Sequence, residues 1–220
     1  MLCRKTEIVA KEGWGYIGFL TCVFIISLFF NTPFISLLLF IAIIFIAIIF
    51  RNPERIPYED DEFSIFAPID GKVIYIGKIA EKRYFHKDML LIRIKSSLCD
   101  VSILRNPIDL DIKKINSIHG LNIDTNDEKA KFLNERVEIV ANSFMGDILI
   151  KAILGKCGRR IYRFCENYKK VRKGDRYLFL SEGVIELYLP LNCRIKVVEG
   201  EKVKAVESVL GYFLEEKAKS

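Results

Sequence analysis

The chain has 220 residues, 51% of them hydrophobic and 28% charged, with a net charge of +6. That length accommodates one ordinary domain plus an anchor, and so much of both residue classes in one chain means that the apolar residues are clustered. No basic stripe interleaved with aromatics appears after Arg51, which argues against nucleic acid as a partner, and six cysteines without close paired spacing argue against a zinc or redox motif.

The apolar clusters come first. Gly15 to Phe30 and Phe34 to Phe50 are uncharged runs of 16 and 17 residues, slightly under the roughly 20 that span a hydrocarbon core as a helix. Asn31, Thr32 and Pro33 separate them, a polar break suited to a tight helical hairpin. The expectation for residues 1–50 is therefore a transmembrane or re-entrant helical hairpin. A hairpin buried in a soluble protein is the lesser alternative, because the remaining residues offer too small a core. No small-residue cleavage site follows the first run, so it does not read as a removable signal. Arg4, Lys5, Lys11, Arg51 and Arg55 flank both ends, which places the ends on the cytoplasmic side of the inner membrane and the rest of the chain in the cytoplasm. The cysteines then read as reduced thiols.

Residues 51–63, with Pro53, Pro57, Glu59, Asp60, Asp61 and Glu62, read as a linker. From residue 64 to 220 the chain reads as one compact, mainly antiparallel β-rich domain, giving an α+β protein as a whole. Short runs rich in Ile and Val predict strands at Ser64–Ala67, Lys72–Ile76, Met89–Ile94, Val101–Leu104 and Ile112–Ile115. More strands are predicted at Arg136–Ala141, Ile148–Leu154, Arg160–Phe164, Tyr177–Leu180, Val184–Leu189 and Arg194–Val198, with a short helix at Asp127–Leu133. Glu199 and Gly200 join the last runs in what reads as a hairpin.

Metal chemistry has little to work with: His86 and His119 lie in unrelated surroundings and read as surface or turn residues, and no metal site is expected. No glycine-flanked serine elbow is present. Gly155 to Arg160 (GKCGRR) lacks the spacing and terminal residues of a nucleotide phosphate loop.

Three stretches, read with the hairpin, form a set: FRNPER with APIDGKV, then FLNERVEI, then ILGKCGRRIYRF followed by KKVRKGDRYLFLSEGVIELYLP. Together they resemble the phosphatidylserine decarboxylase family in its short, membrane-anchored branch, over nearly the whole chain. The resemblance implies a zymogen that cuts itself at a Gly-Ser bond, leaving two subunits and a pyruvoyl group made from the serine. In the family that ketone forms a Schiff base with phosphatidylserine and releases CO₂ to give phosphatidylethanolamine. A membrane phospholipid is the implied partner, and a hairpin in the bilayer suits a substrate that leaves lipid only at about 0.8 kcal/mol per CH₂.

Carried over by position, Asp70 falls on the family's aspartate that assists self-cleavage. In VSILRNP, Arg105 and Pro107 match the family's Val-His-Val-Asn-Arg-x-Pro, but Ser102 stands at the histidine. Counting back from Pro190 puts Glu182 and Gly183 at the Gly-Ser pair, so the cleavage region is Leu180, Ser181, Glu182 and Gly183. Ser181 is the pyruvoyl precursor if a bulge at Gly183 compensates for a shift of roughly 6.5 Å along the strand, and otherwise an ordinary loop serine. Arg159 and Arg160, with Lys169, Lys170, Arg172, Lys173 and Arg176, read either as donors to lipid phosphate or as a solvated face. Two functions stay open: the decarboxylase, and a degenerate homologue that never self-cleaves and serves as a lipid-binding or scaffolding protein.

Overall fold

The computed structural model describes residues 11–30, 32–51, 53–55, 57, 61–158, 160–163 and 170–214. Arg159 and Lys169 of the basic set, Arg4 and Lys5 of the basic flank, Asn31 and much of the acidic linker lie outside them.

Two helices open the fold, α1 at Lys11–Phe29 and α2 at Pro33–Ile49. Proline at the start of α2 suits a helix N-terminus, where its missing N–H costs nothing. The helices meet at Ser27 and Ser36, whose Oγ atoms are 2.8 Å apart, and at Phe24 and Phe40. Their outer faces expose Trp14, Phe19, Phe29, Phe34, Ile41 and Phe45 among other large apolar side chains. Among the described residues no helix is long and apolar enough to cross a membrane. At 1.5 Å per residue, α2 reaches about 26 Å, short of a hydrocarbon core of about 30 Å.

The strands run β1 Ser64–Phe66, β2 Gly71–Glu81, β3 Lys87–Ser96, β4 Ile103–Arg105, β5 Leu110–Ile118, β6 Arg136–Ser143 and β7 Gly146–Leu154. After these come β8 Tyr162–Arg163, β9 Lys170–Val171, β10 Arg176–Phe179, β11 Gly183–Leu189, β12 Cys193–Ile195, β13 Lys202–Val203 and β14 Val209–Phe213. A four-residue helix, α3 at Ala130–Leu133, replaces the longer one expected. Eight strands form one antiparallel sheet in the order β13-β2-β3-β11-β7-β6-β5-β9, and two small antiparallel sheets, β1-β14-β12 and β4-β10-β8, complete the domain. The expected α+β, mainly antiparallel character holds.

The hairpin expected around Glu199–Gly200 does not form. Gly200 turns the chain with φ +91, but β12 pairs with β14 while β13 joins the edge of β2. The turn chemistry was correct; the flanking runs found better partners in two different sheets.

Alternation along the eight-stranded sheet gives it two unlike faces. Ile92, Ile94, Ile150, Ala152, Ile185 and Leu187 point into the main core. On the other face a row runs straight across the strands through Tyr75, Arg93, Glu186, Lys151, Glu138 and Asn116. Positive and negative groups alternate along it, and each buried carboxylate has a cation: Glu186 Oε1 on β11 is 2.8 Å from Arg93 Nε on β3, and Glu138 Oε1 takes Arg83 Nη1 from the β2–β3 turn at 2.8 Å and Arg136 Nε from its own strand at 3.2 Å. The β2–β3 turn closes over this face. Glu81, 4% exposed, accepts the backbone N–H groups of Arg83, Tyr84 and Phe85 at 2.8–3.0 Å.

Burial alone would raise the Glu81 pKa, but the three N–H donors outweigh it and hold the group below its ordinary 4.5. A carboxylate so depressed stabilises the fold while ionised, so its contribution is full above pH 4.5 and fades as acid titrates the folded group. Glu81→Gln should therefore cost about 1–2 kcal/mol at pH 7, and the gap to the wild type should narrow as unfolding is measured at pH values falling below 4.5. A gap that stays constant with pH excludes this origin.

Candidate functional site

The site expected from sequence centres on the passage from β10 to β11. Strand β10 pairs with β4, Phe179 opposite Ile103, and Leu180 N donates to Ser102 O at 2.7 Å to extend the ladder. Alternation then separates the side chains. Leu178, Leu180 and Leu104 belong to the main core, whereas Phe179, Ile103 and Val101 form a small cluster with Phe50 at the end of the hairpin. Ser102, 1% exposed, thus lies on the core side, and Ser181 on the hairpin side. The two residues nearest the histidine and serine positions of the family pattern point to opposite faces. Neither hydroxyl has a hydrogen-bond partner among the described residues, and the same is true of Ser96, which pairs opposite Gly183.

Gly183 cannot be exchanged for serine in this fold. A Cβ built there would lie 2.1 Å from the carbonyl oxygen of Ile153, because β11 enters between β3 and β7 at this residue. Its neighbour Glu182 turns away into the Gly155–Gly158 loop. Cys157 N donates to Glu182 Oε2 at 2.6 Å, and Gly155 N to Glu182 O at 3.0 Å. A Cβ on Gly155 would meet the Glu182 carboxyl at 2.7 Å, and one on Gly158 would meet Leu154 at 2.4 Å. Gly155 therefore makes room for the chain's own carboxylate and Gly158 for the Leu154 side chain, not for a nucleotide phosphate.

Asp70, 6% exposed, has both carboxylate oxygens committed. Arg55 grips them in a bidentate pair, Nη2 to Oδ2 at 2.6 Å and Nη1 to Oδ1, and Ala205 N donates to Oδ1 at 2.8 Å. Glu207 lies 3.5 Å from Arg55 Nε. The stretch expected to be a loose linker is thus pinned at Arg55. Nearby, Arg105 N donates to Pro68 O at 2.7 Å and its Nη2 to Pro53 O at 2.7 Å. Burial, reinforced by the like charges of Arg176 and Arg55, pulls the Arg105 pKa down to about 10.

Between hairpin and domain lies an apolar cavity of about 210 Å³ lined by Tyr16, Ile46, Phe50, Tyr162, Phe179 and Ser181, with Arg160 among its walls. Phe50 is stacked between Tyr16 at 5.9 Å and Phe179 at 5.4 Å, and Gly13 leaves the room that this needs. The structure thus brings Ser181 and Arg160 to one cavity, and it places Asp70 in another setting with its oxygens engaged. Arg55, the partner of Asp70, was not singled out from sequence as a site residue. Nor was Asn134 of the NER segment, fully buried, which donates to Leu154 O at 2.7 Å and Ile123 O at 2.8 Å and holds the segment before it against the end of β7.

The pyruvoyl group implied by the resemblance requires a serine after a glycine and a group to activate its hydroxyl. Gly183 carries no hydroxyl, and the Ser181 hydroxyl has no base within hydrogen-bond reach among the described residues. The residues present do not fit that group.

Residues 43–211 match the family model for phosphatidylserine decarboxylase. The chain is 32% identical over 217 residues to the phosphatidylserine decarboxylase proenzyme of Geobacter sp. (strain M21), covering 94% of this chain and 98% of that one. It is 30% identical over 205 residues to the proenzyme of the same name from Paraburkholderia xenovorans (strain LB400), covering 92% and 96%.

Removing one partner of a buried ion pair leaves the other charge uncompensated, at a cost of about 3–5 kcal/mol. Arg55→Met should reach that range in denaturant unfolding, and adding Asp70→Asn should recover at least half of the loss. Equal stability of single and double mutants would show that the two side chains do not act as a pair.

Proposed function

Since the chain belongs to the phosphatidylserine decarboxylase family, we propose that it is a membrane-bound, phospholipid-binding homologue that remains a single uncut chain. The observation that carries this is Gly183, where the close approach of Ile153 O leaves no space for the serine that self-cleavage would consume. Glu182, hydrogen-bonded into the Gly155–Gly158 loop, supports it. So does Asp70, whose oxygens already serve Arg55 and Ala205.

The lipid sits with its chains against the hairpin and its polar end at the cavity beside Phe179. Tyr16, Ile46 and Phe50 supply the apolar wall, and Arg160 supplies a guanidinium for the phosphate. The hairpin enters the cytoplasmic membrane from the cytoplasmic side as a re-entrant loop. Two features favour this: the uncharged stretch from Gly13 to Phe50, and a helix length below that of the hydrocarbon core.

A second reading has a specific observation in its favour. Ser181 is a buried hydroxyl without a partner among the described residues, and it faces the cavity that the hairpin covers. In that reading Ser181 is the precursor of the pyruvoyl group, the chain becomes two subunits, and phosphatidylserine is decarboxylated to phosphatidylethanolamine.

Intact mass of the purified protein decides between them. The expected result is one species at 25.4 kDa, unreactive to hydrazine probes and releasing no CO₂ from phosphatidylserine. Two fragments meeting at Ser181, abolished by Ser181→Ala, would overturn the non-processing reading. For the membrane, the full chain should stay in the membrane pellet after carbonate washing, and recovery in the wash would remove the anchor.

A further inference from the structure

A second, larger cleft of about 490 Å³ lies at the neck between hairpin and domain, walled by Arg55, Arg105, Arg172, Lys173 and Arg176. Arg105 is its most buried cation, 5% exposed. The backbone fixes it there: besides the Arg105 N–H on Pro68 O, Asn106 N donates to Asp175 O and Asn106 Nδ2 to Val171 O. Arg55 is matched by Asp70 and Glu207, and Arg176 by Glu54 at 2.7 Å. Among the described residues no carboxylate comes within ion-pair distance of Arg105, whose side chain has the carbonyl of Pro53 as acceptor.

A guanidinium carries five N–H donors and stays charged, so burial beside Arg176 and Arg55, which outweighs the more weakly acting Glu54 and Asp70, leaves it with donors to spare for an anion. Four acids line the cleft and none pairs with Arg105: Glu54 goes to Arg176, Glu62 makes no ion pair with Arg105 among the described residues, and the other two are engaged elsewhere. Asp109 Oδ1 accepts Lys173 N at 2.6 Å, and Asp175 Oδ2 accepts Arg172 N at 3.1 Å, so each closes its own loop.

We propose that this cleft binds a phosphate-class oxyanion, seated on Arg105 at the base and met by the exposed Arg172 at the rim. The flat guanidinium offers paired donors to two oxygens of a phosphate, a geometry that lysine lacks. The cleft is separate from the cavity beside Ser181, since β10 contributes Arg176 to one and Phe179, about 10 Å further on, to the other. Its Glu54 and Arg55 follow Phe50 by only a few residues, so both a lipid phosphate at a bilayer surface and a free phosphate compound can reach it. The site does not depend on whether the chain is cut.

The test uses the full chain in neutral detergent, with inorganic phosphate as probe and chloride at matched ionic strength as control. Phosphate at tens of millimolar should raise Tm by about 3–6 °C over chloride. Arg172→Ala should at least halve that rise, and Arg105→Met should abolish it. If Arg105→Met fails to fold, Arg172→Ala alone decides. An equal rise in chloride, or an undiminished phosphate effect in Arg172→Ala, overturns the site. Flotation with phosphatidylcholine vesicles, with and without phosphatidic acid, distinguishes the source. About threefold weaker preference for phosphatidic acid in Arg172→Ala identifies a lipid phosphate, whereas an unchanged preference in that variant, together with its reduced phosphate-induced Tm rise, identifies a soluble one. A chain found cut by mass would sink the non-processing reading and leave this site standing.

Discussion

The entry of β11 into the large sheet, where Gly183 passes against the carbonyl of Ile153, constrains everything around it. β11 lies between β3 and β7 near the middle of the eight-stranded sheet, so its starting point sets the register of the charged row and of the core beneath it. The ladder of β11 begins at Gly183, and the residue before it lies outside it. That residue is Glu182, whose carboxylate takes the space that Gly155 leaves and accepts Cys157 N. Gly183, Gly155 and Glu182 form a single packing solution in which the Glu182 carboxylate and carbonyl both accept backbone N–H groups. The one hydroxyl at this junction, Ser181, lies two residues before Gly183 and faces the cavity beside Phe179.

The second constraint is electrostatic. Arg55, just beyond the hairpin, reaches Asp70 at the start of β2 and is held from the other side by Glu207 and Ala205 O. A buried ion pair of this kind contributes less to net stability than to geometry, because desolvation offsets most of the attraction. What it specifies is the docking of the neck onto the domain, together with Phe50 stacked on Phe179 and Arg51 reaching the Cys99 carbonyl. Both cavities sit at this joint, one on the apolar side and one on the cationic side. The hairpin and both cavities thus share one joint.

Much of this was readable in the residues. Two uncharged runs around Asn31-Thr32-Pro33 predict a helical hairpin at any resolution of argument, because helix and chain-reversal signals are local. The strands from Met89 to Ile94, Arg136 to Ala141, Ile148 to Leu154 and Val184 to Leu189 carry enough β-branched residues to be seen, and the structure extends them by one to four residues. Short strands such as β9 and β13, two residues each, have no periodicity to detect and exist because an edge was available to pair with. The Glu199–Gly200 turn illustrates the same limit: a turn is encoded locally, but which strands it joins depends on partners distant in the chain.

For the site, family membership and the departures at Ser102 and Gly183 follow from residue order alone, since they concern which residue stands where. That Ser102 and Ser181 face opposite ways, that Asp70 is held by Arg55, and that Gly183 admits no side chain are facts of approach between segments 15 to 79 residues apart. Side-chain direction in a strand depends on register, and register is settled by the whole sheet packing at once. Local residue identity determined the elements and the kinship of this protein; the tertiary contacts decided which of its polar groups are free to react and which are already spent on holding the fold.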